Sequence, residues 1–171
     1  MNRRTWEYFG SLDMLPLSVY GMTETAGGVT THTPEHLKLY TSGSAVPGVQ
    51  IKIDKPDSEG IGELCMKGRS MFMGYYKNAE ATREVYDSEG YLHSGDLATY
   101  KDGFLEIRGR IKELLITAGG ENIAPVSIEH TFQELCPMCS NIIVIGDAKK
   151  YLSALVSLKV NMEPVTGRPS N

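Results

Sequence analysis

No stretch of the 171-residue chain keeps about 18 apolar residues in a row, so the sequence predicts no membrane-spanning helix. A secretory leader is not expected on similar grounds: Arg3 and Arg4 are not followed by the apolar core of about 7–15 residues that a leader needs. Cysteine is scarce. Cys65, Cys136 and Cys139 make an odd count, which argues against a secreted disulfide framework and fits a reducing compartment. Charge of one sign is also lacking, with 17 basic against 21 acidic residues and a net charge of -4, so nothing supports a nucleic-acid partner. There are no internal repeats and no low-complexity tracts. What is present is 41% hydrophobic and 22% charged, the composition of a globular chain with a core to bury. These exclusions lead to an expected cytoplasmic location. Peripheral attachment to the endoplasmic reticulum or another intracellular membrane is compatible with them.

Glycine and proline punctuate the first two thirds, at Gly27-Gly28, Pro47-Gly48, Pro56-Asp57, Glu89-Gly90 and Asp102-Gly103. Between these turns lie short β-type runs. Val49, Ile51 and Ile53 alternate with Gln50 and Lys52, the pattern of a half-buried strand. Gly62–Lys67 and Phe104–Ile107 read as further strands, and Asn78–Val85 as a short helix. Met71 and Met73, flanking Phe72, read as core packing. After Arg110 the character changes. Glu113–Thr117 reads as a strand, and Ala118-Gly119-Gly120 as a turn. Pro125 suits the first position of a helix that carries Ile128, Phe132 and Leu135 on one apolar stripe, with Pro137 stopping it. Asn141–Ile145 and Tyr151–Val160 follow as strands, a small α+β arrangement. The tail from Glu163 to Asn171 reads as frayed.

Four clusters could carry chemistry. Tyr20-Gly21-Met22-Thr23-Glu24-Thr25 combines an aromatic face that can stack on a base, hydroxyls for phosphate oxygens and a carboxylate suited to Mg²⁺. Its plain alternative is a polar turn after a buried strand. Tyr91-Leu92-His93-Ser94-Gly95-Asp96 offers a carboxylate that could accept from vicinal hydroxyls, or an Asx turn bonding its own backbone. Arg110, in Gly109-Arg110-Ile111-Lys112-Glu113, could donate to ribose or phosphate, or pair with Glu113 or Glu106 at the surface. Gly119-Gly120 could let a ligand approach the backbone, or could simply make a tight turn.

The order and spacing of these clusters, with fourteen positions from Asp96 to Arg110, resemble the adenylate-forming superfamily. Gly43-Ser44-Ala45-Val46-Pro47-Gly48, Gly62-Glu63-Leu64-Cys65-Met66-Lys67-Gly68 and Gly74-Tyr75-Tyr76 fit the same pattern. The resemblance runs from about Leu17 to Val160. Within that group, Lys112 to Pro125 looks most like the bubblegum type of long-chain fatty-acid CoA ligase. The resemblance implies a mixed α/β to α+β fold. Residues 1–110 would be the β-rich end of the large AMP-binding domain, and 111–171 part of the small mobile C-terminal domain. It implies ATP, Mg²⁺ and CoA, a fatty-acid substrate, and a reaction through acyl-AMP. By position, Tyr20 would pack on adenine within the Tyr20, Gly21, Met22, Thr23, Glu24, Thr25 nucleotide segment. Thr23 would contact the α-phosphate and Glu24 would lie near Mg²⁺, the two catalytic assignments. Asp96 would hold the ribose hydroxyls with Arg110 beside it. Lys112 would be the hinge, and Gly119 and Gly120 would line the CoA channel.

The departures from the family pattern are specific. Met1 to Pro16 contains no Ser/Thr/Gly-rich phosphate loop, and no residue matches the lysine that relatives carry late in the small domain. A partial chain without synthetase activity of its own is therefore expected. The alternatives are a remnant that at most binds nucleotide or a full-length relative, and another adenylate-forming enzyme; Thr117–Pro125 weighs against the latter. Cys136-Pro137-Met138-Cys139 lacks a second pair for zinc and reads as ordinary thiols, and His32, His36, His93 and His130 show no metal spacing.

Overall fold

The computed structural model describes residues 3–160, so the Glu163–Asn171 tail lies outside the described residues. The chain divides into two units, Met1–Ile111 and Lys112–Asn171.

The first unit is built on a four-stranded antiparallel meander of β4 (Val49–Asp54), β5 (Gly62–Gly68), β6 (Leu92–Lys101) and β7 (Phe104–Arg110). Local chemistry sets its turns. Asp102 and Gly103 both take positive φ between the paired residues Lys101 and Phe104, which closes β6 and β7 with the two-residue hairpin that Asp-Gly favours. The tetrapeptide Asp-Ser-Glu-Gly occurs twice and turns the chain the same way each time. Asp57 Oδ1 accepts from the N–H groups of Glu59 and Ile61, and Asp87 Oδ1 from those of Glu89 and Tyr91.

A second sheet of β1 (Val19–Met22), β2 (Gly27–Thr31) and β3 (Ser44–Ala45) belongs to the same unit. Val29, Leu64, Met66, Leu92, Ala98 and Leu105 are fully buried and form one cluster. Helix α1 (Arg3–Ser11) sets the buried Trp6 edge-on against His32. Helix α2 (Ala79–Val85) starts where Asn78 accepts from the Ala81 N–H, and its first and last turns carry Glu80 and Arg83, the signs that suit the helix dipole.

In the second unit a short hairpin pairs β8 (Leu115–Ile116) with β9 (Asn122–Ile123). Helix α3 (Pro125–Leu135) begins on Pro125, and the hairpin of β10 (Cys139–Ile145) and β11 (Ser153–Leu158) follows. Glu129 reaches from α3 to accept the Val144 N–H at 2.7 Å. Among the described residues here, the buried hydrophobic side chains are Cys139, Ile142 and Val144.

Several expectations need correction. Met71 packs against the core, but Met73 is 99% exposed. The strand expected over Glu113–Thr117 shrinks to Leu115–Ile116, because β9 gives it two partners and Ile111–Glu113 forms a 3-10 turn. The stripe of Ile128, Phe132 and Leu135 is open, with Leu135 80% exposed. Among the described residues, no helix is long and apolar enough to cross a membrane.

Candidate nucleotide site

Strand β1 leads into a 3-10 turn at Thr23–Thr25, and Ala26 takes the left-handed conformation that starts β2. Gly21 is forced by packing: a Cβ there would stand 2.0 Å from the Gly27 carbonyl oxygen across the β1–β2 pair. Thr25 is buried, and its hydroxyl is used inside the turn. It accepts from the Met22 N–H and lies 2.8 Å and 2.6 Å from the carbonyl oxygens of Met22 and Gly27. Thr25 and the Met22 N–H thus shape the turn, while Thr23 stays on its exposed side.

Tyr20 points from β1 toward β6, and its hydroxyl donates to Asp96 Oδ2 at 2.6 Å. Arg110, paired with Asp96 across β6 and β7, donates from Nε to Oδ1 at 3.1 Å. Three residues from three separate sequence clusters therefore meet at one carboxylate. The Asp96 side chain is 13% exposed, whereas that of Arg110 is 66% exposed. Burial, and then the bond to Asp96, push the Tyr20 phenol above its ordinary range, so it stays protonated and donates. An ionised carboxylate has about four acceptor sites, and these two donors leave room for two more. That is the number a pair of vicinal ribose hydroxyls would fill.

Glu24 is half-buried in the 3-10 turn. The Tyr75 hydroxyl donates to its Oε1 at 2.8 Å, and its carbonyl accepts from the Phe72 N–H. A single carboxylate of this kind suits Mg²⁺, which keeps several waters and takes few protein ligands beside substrate phosphates. Tyr75 is the one new member of this corner. Gly74-Tyr75-Tyr76 carried a sequence signal, but no chemistry pointed to Glu24.

Lys112, Gly119 and Gly120 belong to the second unit. Lys112 is exposed in the Ile111–Glu113 turn. Gly119 and Gly120 lie exposed between β8 and β9, where Gly120 takes positive φ and donates to the Thr117 carbonyl.

Sequence reasoning missed a second cluster beside Asp96. Glu63, Cys65 and His93 bring one donor atom each within 4.8 Å of one another. His93 lies some thirty positions along the chain from the other two, and only the Cys65–His93 pairing of β5 with β6 unites them. Cys136 and Cys139 are both free thiols.

Residues 1–76 match the profile of the AMP-binding enzyme family. The long-chain-fatty-acid--CoA ligase ACSBG2 of Gallus gallus is 45% identical over 172 residues, covering all of this chain and 22% of that protein. The long-chain-fatty-acid--CoA ligase heimdall of Drosophila melanogaster is 47% identical over 165 residues, 95% of this chain and 24% of its own length. The chain thus spans under a quarter of these relatives. Among solved structures, the o-succinylbenzoate CoA synthetase of Bacillus subtilis in complex with the acyl-adenylate intermediate OSB-AMP superposes with a TM-score of 0.81 and 27% identity, over 94% of this chain and 35% of that one. The mixed α/β, sheet-dominated fold is shared with such adenylate-forming structures. The AMP-binding family match thus covers the start of the chain, and the similarity to long-chain fatty-acid CoA ligases runs along its whole length.

Proposed function

We propose that the first unit carries the ribose and α-phosphate side of an ATP site. On this reading the chain is a portion of a long-chain fatty-acid CoA ligase that makes acyl-CoA through acyl-AMP. The observation that carries this is the meeting of Tyr20 and Arg110 on the two oxygens of Asp96. The remaining acceptor sites of that carboxylate receive the 2′ and 3′ hydroxyls. The bond to Asp96 also fixes the Tyr20 ring, which presents a face for adenine to stack on. Thr23, exposed on the turn, donates to the α-phosphate. Glu24, steadied by Tyr75, supplies one oxygen to Mg²⁺, which neutralises phosphate charge when bound. What these groups contribute is positioning and charge complementarity, the main sources of rate in such transfers.

CoA belongs to the second half-reaction. Lys112 is proposed as the hinge, and the exposed Gly119-Gly120 turn as the backbone surface along which the CoA arm passes. The relatives' names support a fatty acid as the carboxylate substrate.

The test is calorimetric titration of the 171-residue chain with AMP. Binding is expected, and Asp96→Ala should weaken it by about tenfold or more, because it removes acceptors for two hydroxyl groups. Equal affinity in the substituted chain would contradict the ribose assignment.

A further inference from the structure

The β5–β6 ladder is broken beside Asp96. Glu63 pairs with Leu97 and Cys65 pairs with His93, so Leu64 alone faces Ser94, Gly95 and Asp96. Gly95 takes φ +73, a conformation that glycine supplies cheaply. Such a bulge re-aims a side chain, and it also strips backbone groups of their ladder partners. Two side chains replace those partners. Ser94 Oγ donates to the Leu64 carbonyl at 2.8 Å and accepts from the Asp96 N–H at 3.0 Å. Glu63 Oε1 accepts from the Gly95 N–H at 3.0 Å, and its Oε2 accepts from His93 Nδ1 at 2.8 Å.

The carboxylate partner assigns the His93 proton to Nδ1. Nε2 then faces Asp87 Oδ2 at 3.7 Å, and Lys52 holds Asp87 at 2.7 Å. The chain of contacts therefore runs from Lys52 through Asp87, His93 and Glu63 to the backbone next to Asp96. A metal is not needed to explain the cluster. Both Glu63 oxygens and His93 Nδ1 already share protons, and burial beside Glu63 and Asp54 pushes the Cys65 thiol up to about 12.

We infer that Glu63, oriented by His93, is a positioning residue for Asp96. By holding the Ser94–Asp96 bulge it aims the carboxylate at the ribose edge, and so sets the selectivity for nucleotides that carry both hydroxyls. This inference rests on the ribose reading above.

The experiment compares AMP with 2′,3′-dideoxy-AMP by calorimetry on the 171-residue chain. The unsubstituted chain is expected to prefer AMP by about tenfold or more. Asp96→Ala should erase that preference. Glu63→Ala should reduce it by at least about threefold, with dideoxy-AMP affinity changed by less than about twofold, since the lost contact acts through Asp96. Glu63→Gln should restore most of the preference, because its carbonyl oxygen can still accept from Gly95. If Glu63→Ala does not fold, Glu63→Asp, too short to span Gly95 and His93, is expected to show the same loss. A preference retained in Glu63→Ala or Glu63→Asp but lost in Asp96→Ala overturns the inference alone. Absence of AMP binding, or a preference that survives Asp96→Ala, overturns the ribose reading and the inference with it.

Discussion

The two units bury their apolar residues very differently. In Met1–Ile111 the central side chains of β2, β5, β6 and β7 are closed off completely; Leu64, Met66, Leu92 and Leu105 show no exposure. In the described part of Lys112–Asn171, every residue of β11 is exposed, and buried side chains alternate on one face of β10 alone. The difference teaches where precision resides. The Asp96 cluster stands on strands whose inner faces are packed solid, so its geometry is held by the core. The glycine turn at Gly119-Gly120 stands on a two-residue ladder, and backbone bonds from Ala118 to the Lys149 carbonyl and from Ala148 to the Ile116 carbonyl hold it in place of a closed core.

The largest expected effect tests this contrast directly. Trp6 is the single tryptophan and is buried in the first unit, so its fluorescence reads that unit in urea unfolding. Leu64→Ala should lower the stability read by Trp6 by about 2–5 kcal/mol, through lost burial and the cavity left behind. Ile143→Ala, at a position 59% exposed on β10, should shift the unfolding of its own unit, followed by circular dichroism, by less than about 0.5 kcal/mol. Comparable shifts from both would break the contrast.

A smaller effect sharpens the account of the first unit. His32 is buried beside Trp6, accepts the Ser18 N–H on Nδ1 and turns Nε2 toward the Lys38 carbonyl. Burial lowers its pKa below the ordinary 6.5, with His36 lowering it further and the Lys38 bond opposing. The unfolded chain therefore binds this proton more readily than the folded one. The stabilising contribution is complete above about 6.5 and is lost as the pH falls through 6.5 toward the folded value. Between pH 7.5 and 5, the Trp6 transition should weaken more steeply in the unsubstituted chain than in His32→Gln. Identical slopes would remove His32 from the acid response.

Much of this fold was legible in the sequence. Val49–Ile53 alternates cleanly, and the Asp-Gly and Asp-Ser-Glu-Gly turns carry their own chemistry, so β4, β5, β7 and their connections could be placed from local signals. The long strand β6 was harder, because Ser94-Gly95-Asp96 has the composition of a turn. It is a bulge inside a strand, bonded to a carboxylate 32 positions away. Motif spacing named Tyr20, Asp96 and Arg110, but not the bonds between them. Motif reading also grouped Thr25 with the nucleotide segment, whereas packing directs its hydroxyl into the turn. Glu63 and His93 stood in separate quoted motifs, but nothing in the sequence joined them, since cross-strand pairing alone brings them together.

The central claim is that the first unit holds a nucleotide at Asp96, and residue-by-residue NMR of the ¹⁵N-labelled chain during an AMP titration tests it most directly. The account predicts saturable shifts confined to Tyr20–Glu24, Ser94–Asp96 and Gly109–Arg110. Unchanged spectra, or shifts centred on α3 and the β10–β11 hairpin, would contradict it.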